Sequence, residues 1–154
     1  MRETGTMSTD DGRSDPPVTS ASILALTIAR KVEAELAAAL APLDLTVSRL
    51  GLLGHISGVP GASFSDLARM SSISVQSVHT AVKALVNAGL VRDRTARAGS
   101  ASTIELTPKG ARLLRSAREA IAEVDAKLFG PESDPILQRA GKALVDAFTG
   151  ETPS

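Results

Sequence analysis

Apolar residues recur at helical spacing in several segments of the chain, and residues that start or stop helices lie at the ends of these segments. The first predicted helix begins near Thr19 or Ser20 and runs to about Ala41, where Pro42 stops it. Its apolar stripe consists of Leu24, Ile28, Val32, Leu36 and Leu40. One strong stripe on an alanine-rich helix is typical of a surface that packs against another long element, so we expect this side to be buried.

Two shorter helices are predicted next. Thr46 is the expected N-cap of a helix that ends at Gly58. Ser63 is the expected N-cap of the other helix, with Asp66 as its third residue, and residues 71–73 form a tight turn after it. The inward stripes are Leu50, Leu53 and Ile56 in one helix, and Leu67 and Met70 in the other.

The next helix has two distinct faces at about 100° per residue. Ser74 is the expected N-cap, and Gly89 follows the last periodic residue as a C-terminal stop. The predicted inward face is Val75, Val78, Val82, Leu85 and Val86, and the outward face is Gln76, His79, Thr80, Lys83 and Asn87. The outward set consists of donors and acceptors that can reach base edges and phosphates in a major groove, although a polar outer face is also common in helices that bind nothing.

Two strand-like segments follow, at residues 90–94 and 102–106, joined by a basic loop at residues 95–101 that contains Gly99. A short helix, a tight turn, a longer helix and a hairpin form the layout of a winged helix-turn-helix. Arg92, Arg94 and Arg97 are then expected to line the hairpin beside the longer helix.

Two more helices are predicted after the hairpin. Thr107 followed by Pro108 starts a helix that runs to Gly130, and Asp134 with Pro135 opens the last one. Their stripes are Leu114, Ala117, Ile121, Val124 and Leu128, then Ile136, Leu137, Ala140, Leu144 and Phe148. The expected fold class is therefore mainly α with a small β-hairpin wing.

The domain organisation follows from composition. Residues 1–18 are polar, acidic and proline-containing, so we expect a disordered tail, within which Met7 is an alternative start to Met1. Residues 19–149 suit a single domain. Since no apolar run approaches the roughly 18 residues of a membrane span and no signal core is present, we expect a cytoplasmic protein without a membrane partner.

Charge is zero overall but unevenly distributed. Residues 63–109 hold six Lys and Arg against three Asp and Glu, a surplus of +3 within the predicted winged lobe. A zero total argues against nucleic-acid binding, whereas a local surplus favours it, because DNA binding depends on neutralising phosphates.

The sequence contains no recognisable set of catalytic or metal-binding residues. The chain has no cysteine, which excludes disulfides, thiolate metal sites and thiol nucleophiles. His55 and His79 are the only histidines, and no metal-ligand spacing or nucleophile motif accompanies them. We therefore expect no catalytic residues, no metal and no cofactor.

Taken in order, LDLTVSRLGLLGHIS, FSDLARMSSISVQSVHTAVKALVNAGLVRDR and IELTPKGARLL resemble the multiple-antibiotic-resistance-regulator (MarR) family of transcription factors. The resemblance covers about residues 21–148. It implies a homodimer in which helices of residues 19–41 and 108–149 form the interface and the winged lobe of residues 46–107 binds palindromic operator DNA. Members of this family are usually repressors that a small ligand releases from DNA.

The resemblance assigns two sets of site residues. The DNA-binding set is Ser74, Gln76, Ser77, His79, Thr80, Lys83, Arg92, Arg94 and Arg97. The effector-binding set, for an amphipathic or phenolic anion between the dimerisation helices and the lobe, is Arg30, Arg49 and His55. Arg30 could instead pair with Glu33, and His55 could be a core-edge residue. The wing departs from the family's Asp-x-Arg pattern, since its tip reads RTARAGSAS, with Arg97 as the nearest minor-groove candidate.

An alternative from another class is a dimeric winged-helix module that binds proteins and no longer reads DNA. The zero net charge and the altered wing favour it. Salt-dependent DNA binding discriminates the two, because only phosphate neutralisation gives a steep salt dependence.

Overall fold

The computed structural model describes residues 20–94 and 103–150. The chain forms helices α1 to α6, a short 3-10 turn after α1, and strands β1 and β2. In chain order these are α1 (Ala21–Leu40), the 3-10 turn (Ala41–Leu43), α2 (Val47–Gly58), α3 (Phe64–Ser71), α4 (Val75–Asn87), β1 (Val91–Arg94), β2 (Thr103–Leu106), α5 (Pro108–Phe129) and α6 (Pro135–Thr149). The predicted fold class, mainly α with a small hairpin wing, is confirmed.

The helix starts lie where capping chemistry predicts them. The side chains of Thr46, Ser74 and Thr107 each accept a hydrogen bond from a backbone N–H three residues ahead, at 3.0–3.2 Å. Asp134 accepts one from the Ile136 N–H at 2.7 Å. Local sequence therefore determines where these helices begin.

At the start of α3, Ser63 and Asp66 form the predicted capping box. Ser63 Oγ accepts from the Asp66 N–H at 3.0 Å, and Asp66 Oδ2 accepts from the Ser63 N–H at 3.0 Å. These bonds from the Ser63 backbone and hydroxyl, and then the Arg69 guanidinium, hold the pKa of Asp66 below its ordinary value. The charged carboxylate is thus the form that the fold favours.

Asp66→Asn is expected to lower the free energy of unfolding at neutral pH, since the amide loses the charge-assisted bonds. A carboxyl group whose pKa is lowered in the folded state stabilises the fold above its unfolded pKa of about 3.9. That stabilisation disappears as the pH falls through the folded pKa. Urea denaturation of both proteins between pH 3 and pH 7 measures this, with the exposed Asp125→Asn as the control. A loss that is equal at both ends of this range would contradict the assignment.

The hairpin is antiparallel, with Val91 opposite Leu106 and Arg94 opposite Thr103. Val91 and Ile104 are buried, so one side of the hairpin belongs to the core of the lobe. Its tip, residues 95–102, lies outside the described residues. The strands therefore extend from the core next to the end of α4.

One core joins the C-terminal end of α1, α2, α3, α4, the hairpin and the first half of α5. Its largest fully buried side chains are Leu40, Leu53, Leu67, Leu85, Ile104, Val78 and Val91. On α4, the prediction was right for Val78, Val82 and Leu85 but wrong for Val75 and Val86, which are 42% and 38% exposed. These two residues lie at the margin of the apolar face, where no element of residues 20–94 and 103–150 buries them.

Outside the lobe, α5 packs against both α1 and α6. Lys127 of α5 donates to Glu35 of α1 at 2.7 Å, and α6 approaches α5 closely where Gly141 meets Phe129. Much of the predicted stripes of α1 and α6 is exposed in the single chain. The large exposed apolar residues there are Ile23, Leu24, Leu26 and Ile28 on α1, and Ile136, Leu144, Val145 and Phe148 on α6.

Within residues 20–94 and 103–150, no single helix has the length and apolarity needed to cross a membrane. The segments 21–43 and 47–58 pass that test only as a pair bent by 75°, by length and composition alone.

Candidate nucleic-acid interface

Helix α4 presents the predicted polar face to solvent. Its inner side is anchored by Val78, Val82 and Leu85, which are almost fully buried. The exposed residues on its outer side are Gln76, Ser77, His79, Thr80, Lys83 and Asn87. Burial of one face fixes the helix on the lobe, so the other face has a defined orientation toward a partner.

Three hydroxyl groups of this face are already bonded within the helix. The Ser74 and Ser77 hydroxyls lie 2.8 Å apart, and Thr80 Oγ1 donates to the Gln76 carbonyl oxygen at 3.1 Å. Among the described residues, the side chains of Gln76 and Lys83 have no hydrogen-bond or salt-bridge partner. These two residues therefore offer their full donor and acceptor capacity to a ligand.

His79 is held differently, because its imidazole stacks on the ring of Phe64 from α3. The ring centroids are 3.9 Å apart and the planes differ by 15°. Phe64 was not among the predicted site residues. Stacked rings from separate helices leave no periodic signal in the sequence, which is why the sequence analysis missed this contact.

These side chains line one open groove of about 440 Å³ on the outer side of α4. Its lining residues are Phe64, Gln76, His79, Thr80, Val82, Lys83, Val86 and Asp93. The structure thus places the predicted Gln76, His79, Thr80 and Lys83 together on one surface. Exposed Val86 adds an apolar contact of the kind that a thymine methyl group accepts.

The wing arginines differ in their surroundings. Arg92 and Arg94 are exposed on β1, and Arg94 Nε lies 3.5 Å from Glu105 Oε2 on β2. The predicted minor-groove residue Arg97 lies outside the described residues. Glu105 lies directly opposite Arg92 in the hairpin register and its carboxylate is 3.5 Å from Arg94 Nε, so it offsets part of the positive charge of this strand.

The turn after α4 is bonded to the start of α5 through three consecutive carbonyl groups. Lys109 Nζ donates to the Ala88 oxygen at 2.9 Å, and Thr107 Oγ1 donates to the Gly89 oxygen at 2.6 Å. The Thr107 N–H donates to the Leu90 oxygen at 3.0 Å. Lys109 also places a cation at the C-terminal end of α4, where the helix dipole favours it. Helices α4 and α5 are therefore joined at this turn.

The predicted effector-binding residues are only partly brought together. Arg49 and His55 line one cavity of about 290 Å³ between α2, α3 and α4. Arg49 also borders a second cavity of about 380 Å³, beside Lys109 and Arg112 of α5. Arg30 lies exposed on α1 and lines neither cavity. In the single chain, Arg49 and His55 thus line the same cavity, and Arg30 lines neither of the two cavities.

Metal binding requires several ligand side chains close together. Across residues 20–94 and 103–150, no group of three or more His, Cys, Asp or Glu side chains could hold a metal ion.

Comparison with known proteins identifies close matches in sequence. The family model described as MarR family matches residues 43–99. The HTH-type transcriptional repressor Rv2887 of Mycobacterium tuberculosis is 32% identical over 113 residues, which covers 73% of this chain and 81% of that protein.

Solved structures of the same relative match in fold. The crystal structure of the M. tuberculosis MarR family protein Rv2887 in complex with DNA gives a TM-score of 0.69 at 28% identity, over 84% of this chain and 98% of that chain. Its complex with salicylic acid gives 0.66 at 27% identity, over 84% and 96%. The winged-helix fold predicted from the sequence is therefore shared with a protein that has been crystallised on DNA.

Proposed function

This chain belongs to the MarR family of transcriptional regulators, and we propose that it is a homodimeric repressor that binds a near-palindromic operator in double-stranded DNA. The repressor role is supported by the name of the relative, an HTH-type transcriptional repressor. Because the target of the proposed repressor is chromosomal DNA, we place the protein in the cytoplasm.

The observation that carries this proposal is the exposed polar face of α4 on a helix whose other face is buried. Within the described residues, the side chains of Gln76 and Lys83 form no hydrogen bond or salt bridge. Their donors and acceptors are therefore available to base edges in a major groove. Rv2887 in complex with DNA supports the same use of the fold. We assign base contacts to Gln76, His79 and Lys83 on this face, and contacts to phosphates and the flanking minor groove to Arg92, Arg94 and Arg97.

The hydroxyl groups of the predicted set are assigned a smaller role. Ser74 caps α4 and its hydroxyl is bonded to that of Ser77, and Thr80 already donates to the helix backbone. One O–H of the Ser74–Ser77 pair remains free to donate to a phosphate oxygen, whereas the Thr80 O–H would first have to leave the Gln76 carbonyl oxygen. We therefore assign them to phosphate contacts and base preference to Gln76, His79 and Lys83.

The homodimer is supported by the apolar surface that the single chain leaves exposed on α1 and α6. Phe148 is 90% exposed and Leu144 is 54% exposed. Burying such side chains against the same surface of a second copy forms an isologous two-fold interface. Two recognition helices related by that axis would enter adjacent major grooves about 10 base pairs apart.

A small amphipathic or phenolic anion is the proposed effector. Rv2887 has been crystallised with salicylic acid, an anion of this class. In this chain Arg49 and His55 border the cavity between α2, α3 and α4, where a carboxylate could pair with the guanidinium. Arg30 could contribute only if the partner's α1 brings it near, so it is the least supported residue of the predicted set.

Gln76→Ala is expected to change base preference and leave affinity for random duplex nearly unchanged. Loss of one bidentate base contact reduces discrimination by about 1–3 kcal/mol at the base pair concerned. Fluorescence anisotropy with a labelled operator, a panel of single base-pair changes and a random duplex measures this.

Arg92→Ala is the matched comparison. Removing a phosphate contact should weaken binding to all sequences alike. It should also reduce the slope of log affinity against log salt by about 1 for each phosphate that is no longer neutralised. We expect the same behaviour for Arg97→Ala. Equal losses on operator and random duplex for the Gln76 variant would refute its assigned role.

The second candidate function is a dimeric protein-interaction module, which the zero net charge favours. Such a module would retain the α1 and α6 interface and show little DNA affinity at any salt concentration. The local surplus of positive charge in the winged lobe and the uncommitted Gln76 and Lys83 side chains favour the repressor.

A further inference from the structure

The contact between Phe64 and His79 joins α3 to the exposed face of α4. The rings are nearly parallel, at 15°, with centroids 3.9 Å apart. In that arrangement Phe64 covers one face of the imidazole and leaves the ring edge, which carries both nitrogens, uncovered. His79 remains an exposed residue at the groove it shares with Gln76 and Lys83.

Phe64 is itself firmly placed. It is the first residue of α3, directly after Ser63, whose backbone and hydroxyl are bonded to Asp66 in the capping box. Its side chain is partly buried and packs against the core of the lobe. The Phe64 ring that stacks on His79 is therefore held in place by α3 and the core, whether or not DNA is bound.

An exposed histidine on a helix normally samples several rotamers, and binding through it requires one of them to be selected. Stacking on a fixed ring selects the rotamer before DNA arrives. A side chain that is already ordered avoids the cost of being immobilised on binding. Avoiding that cost for one side chain corresponds to roughly a 3- to 10-fold gain in affinity for the correct base.

We propose that Phe64 is a positioning residue for sequence recognition, which holds the His79 imidazole so that its N–H edge donates to an acceptor on a base edge in the major groove. The major-groove acceptors open to such a donor are guanine O6 and N7, adenine N7 and thymine O4, and guanine is the base that presents two acceptors and no donor there. This inference rests on the proposed DNA-binding function and names a specificity-determining pair within it.

The first test compares Phe64→Leu, Phe64→Tyr, His79→Ala and the double variant Phe64→Leu with His79→Ala, in the full chain. Anisotropy titrations use the operator, every single base-pair change within it, and random duplex. We expect His79→Ala to abolish discrimination at one base pair in each half-site. Phe64→Leu should weaken discrimination at the same base pair by roughly 3- to 10-fold, and the double variant should lose no more than His79→Ala.

Two controls separate positioning from general stability. Phe64→Tyr retains the ring and should retain discrimination. Phe64→Leu removes no charge, so the slope of log affinity against log salt should equal that of the wild type. In the free protein, the ring-current shift of the His79 imidazole protons should disappear in Phe64→Leu and persist in Phe64→Tyr.

The outcomes distinguish this inference from the proposed function. If the wild type prefers the operator but Phe64→Leu discriminates as well as the wild type, or loses affinity equally on all duplexes, the positioning role is overturned and the repressor stands. Additive losses in the double variant would also overturn it. If the wild type prefers no duplex, both proposals fail together.

Discussion

Gly110→Ala is expected to destabilise the folded chain by about 3 kcal/mol or more, because its new methyl group has no space. A Cβ atom at position 110 would overlap the Leu90 carbonyl oxygen and lie 3.0 Å from its carbonyl carbon. Both are backbone atoms, so the clash cannot be relieved by a side-chain rotation. Either α5 or the turn after α4 has to move.

That movement would occur where α4 and α5 are joined. The Leu90 oxygen accepts from the Thr107 N–H, and the neighbouring Gly89 oxygen accepts from the Thr107 hydroxyl. Displacing Leu90 therefore strains both hydrogen bonds and shifts the recognition helix relative to the proposed dimer interface. We expect the operator affinity of any folded Gly110→Ala protein to be reduced as well.

Urea denaturation followed by circular dichroism measures this prediction. Gly51→Ala is the matched control, since Gly51 lies within α2 and a Cβ there meets no atom within 4 Å. The control should be stabilised by about 0.5–1 kcal/mol through the better helix propensity of alanine. A Gly110→Ala protein within about 0.5 kcal/mol of the wild type would show that the turn and α5 are not tightly joined.

Leu144→Asp combined with Phe148→Asp is expected to weaken the proposed dimer at least about 100-fold. Both residues belong to the exposed apolar surface of α6, and an apolar interface that excludes water would have to bury two unpaired carboxylates. Sedimentation velocity over a concentration series gives the dimer dissociation constant. Operator binding should fall in parallel, since one winged lobe contacts only one half-site.

The control is Arg139→Asp, which adds a carboxylate to the same helix on the side opposite Phe148 at 100° per residue. It should leave the dimer intact. Because dimeric proteins can depend on association for folding, circular dichroism of the double variant is recorded beside sedimentation. A dimer that is as stable in the double variant as in the wild type would exclude this surface of α6 from the interface.

The helix starts could be predicted well because each depends on a hydrogen bond between a capping side chain and a backbone N–H about three residues ahead. The capping of α2, α3, α4 and α5 by Thr46, Ser63, Ser74 and Thr107 could be predicted from a hydroxyl side chain placed directly before a helical segment. The exposed face of α4 could be predicted from helical periodicity. Each of these features depends on local sequence alone.

Features that depend on residues far apart in the sequence were either not predicted or predicted wrongly. Periodicity gives the angle of Val75 and Val86 on α4 but not where neighbouring elements stop covering them. The bond between Lys109 and the Ala88 carbonyl oxygen joins residues 21 positions apart, and the stacking of Phe64 on His79 joins separate helices. The predicted roles of Arg97 and of the effector-binding residues remain predictions.

The most direct test of DNA binding is fluorescence anisotropy of the purified protein with a labelled duplex from its own upstream region, against random duplex, over a salt series. A dimer would bring together two copies each of Arg92, Arg94 and Arg97, the residues assigned to phosphates and the flanking minor groove. We therefore expect tight binding that prefers the upstream duplex, with a slope of log affinity against log salt of roughly −5. No binding to either duplex at low salt would contradict the repressor and favour the interaction module.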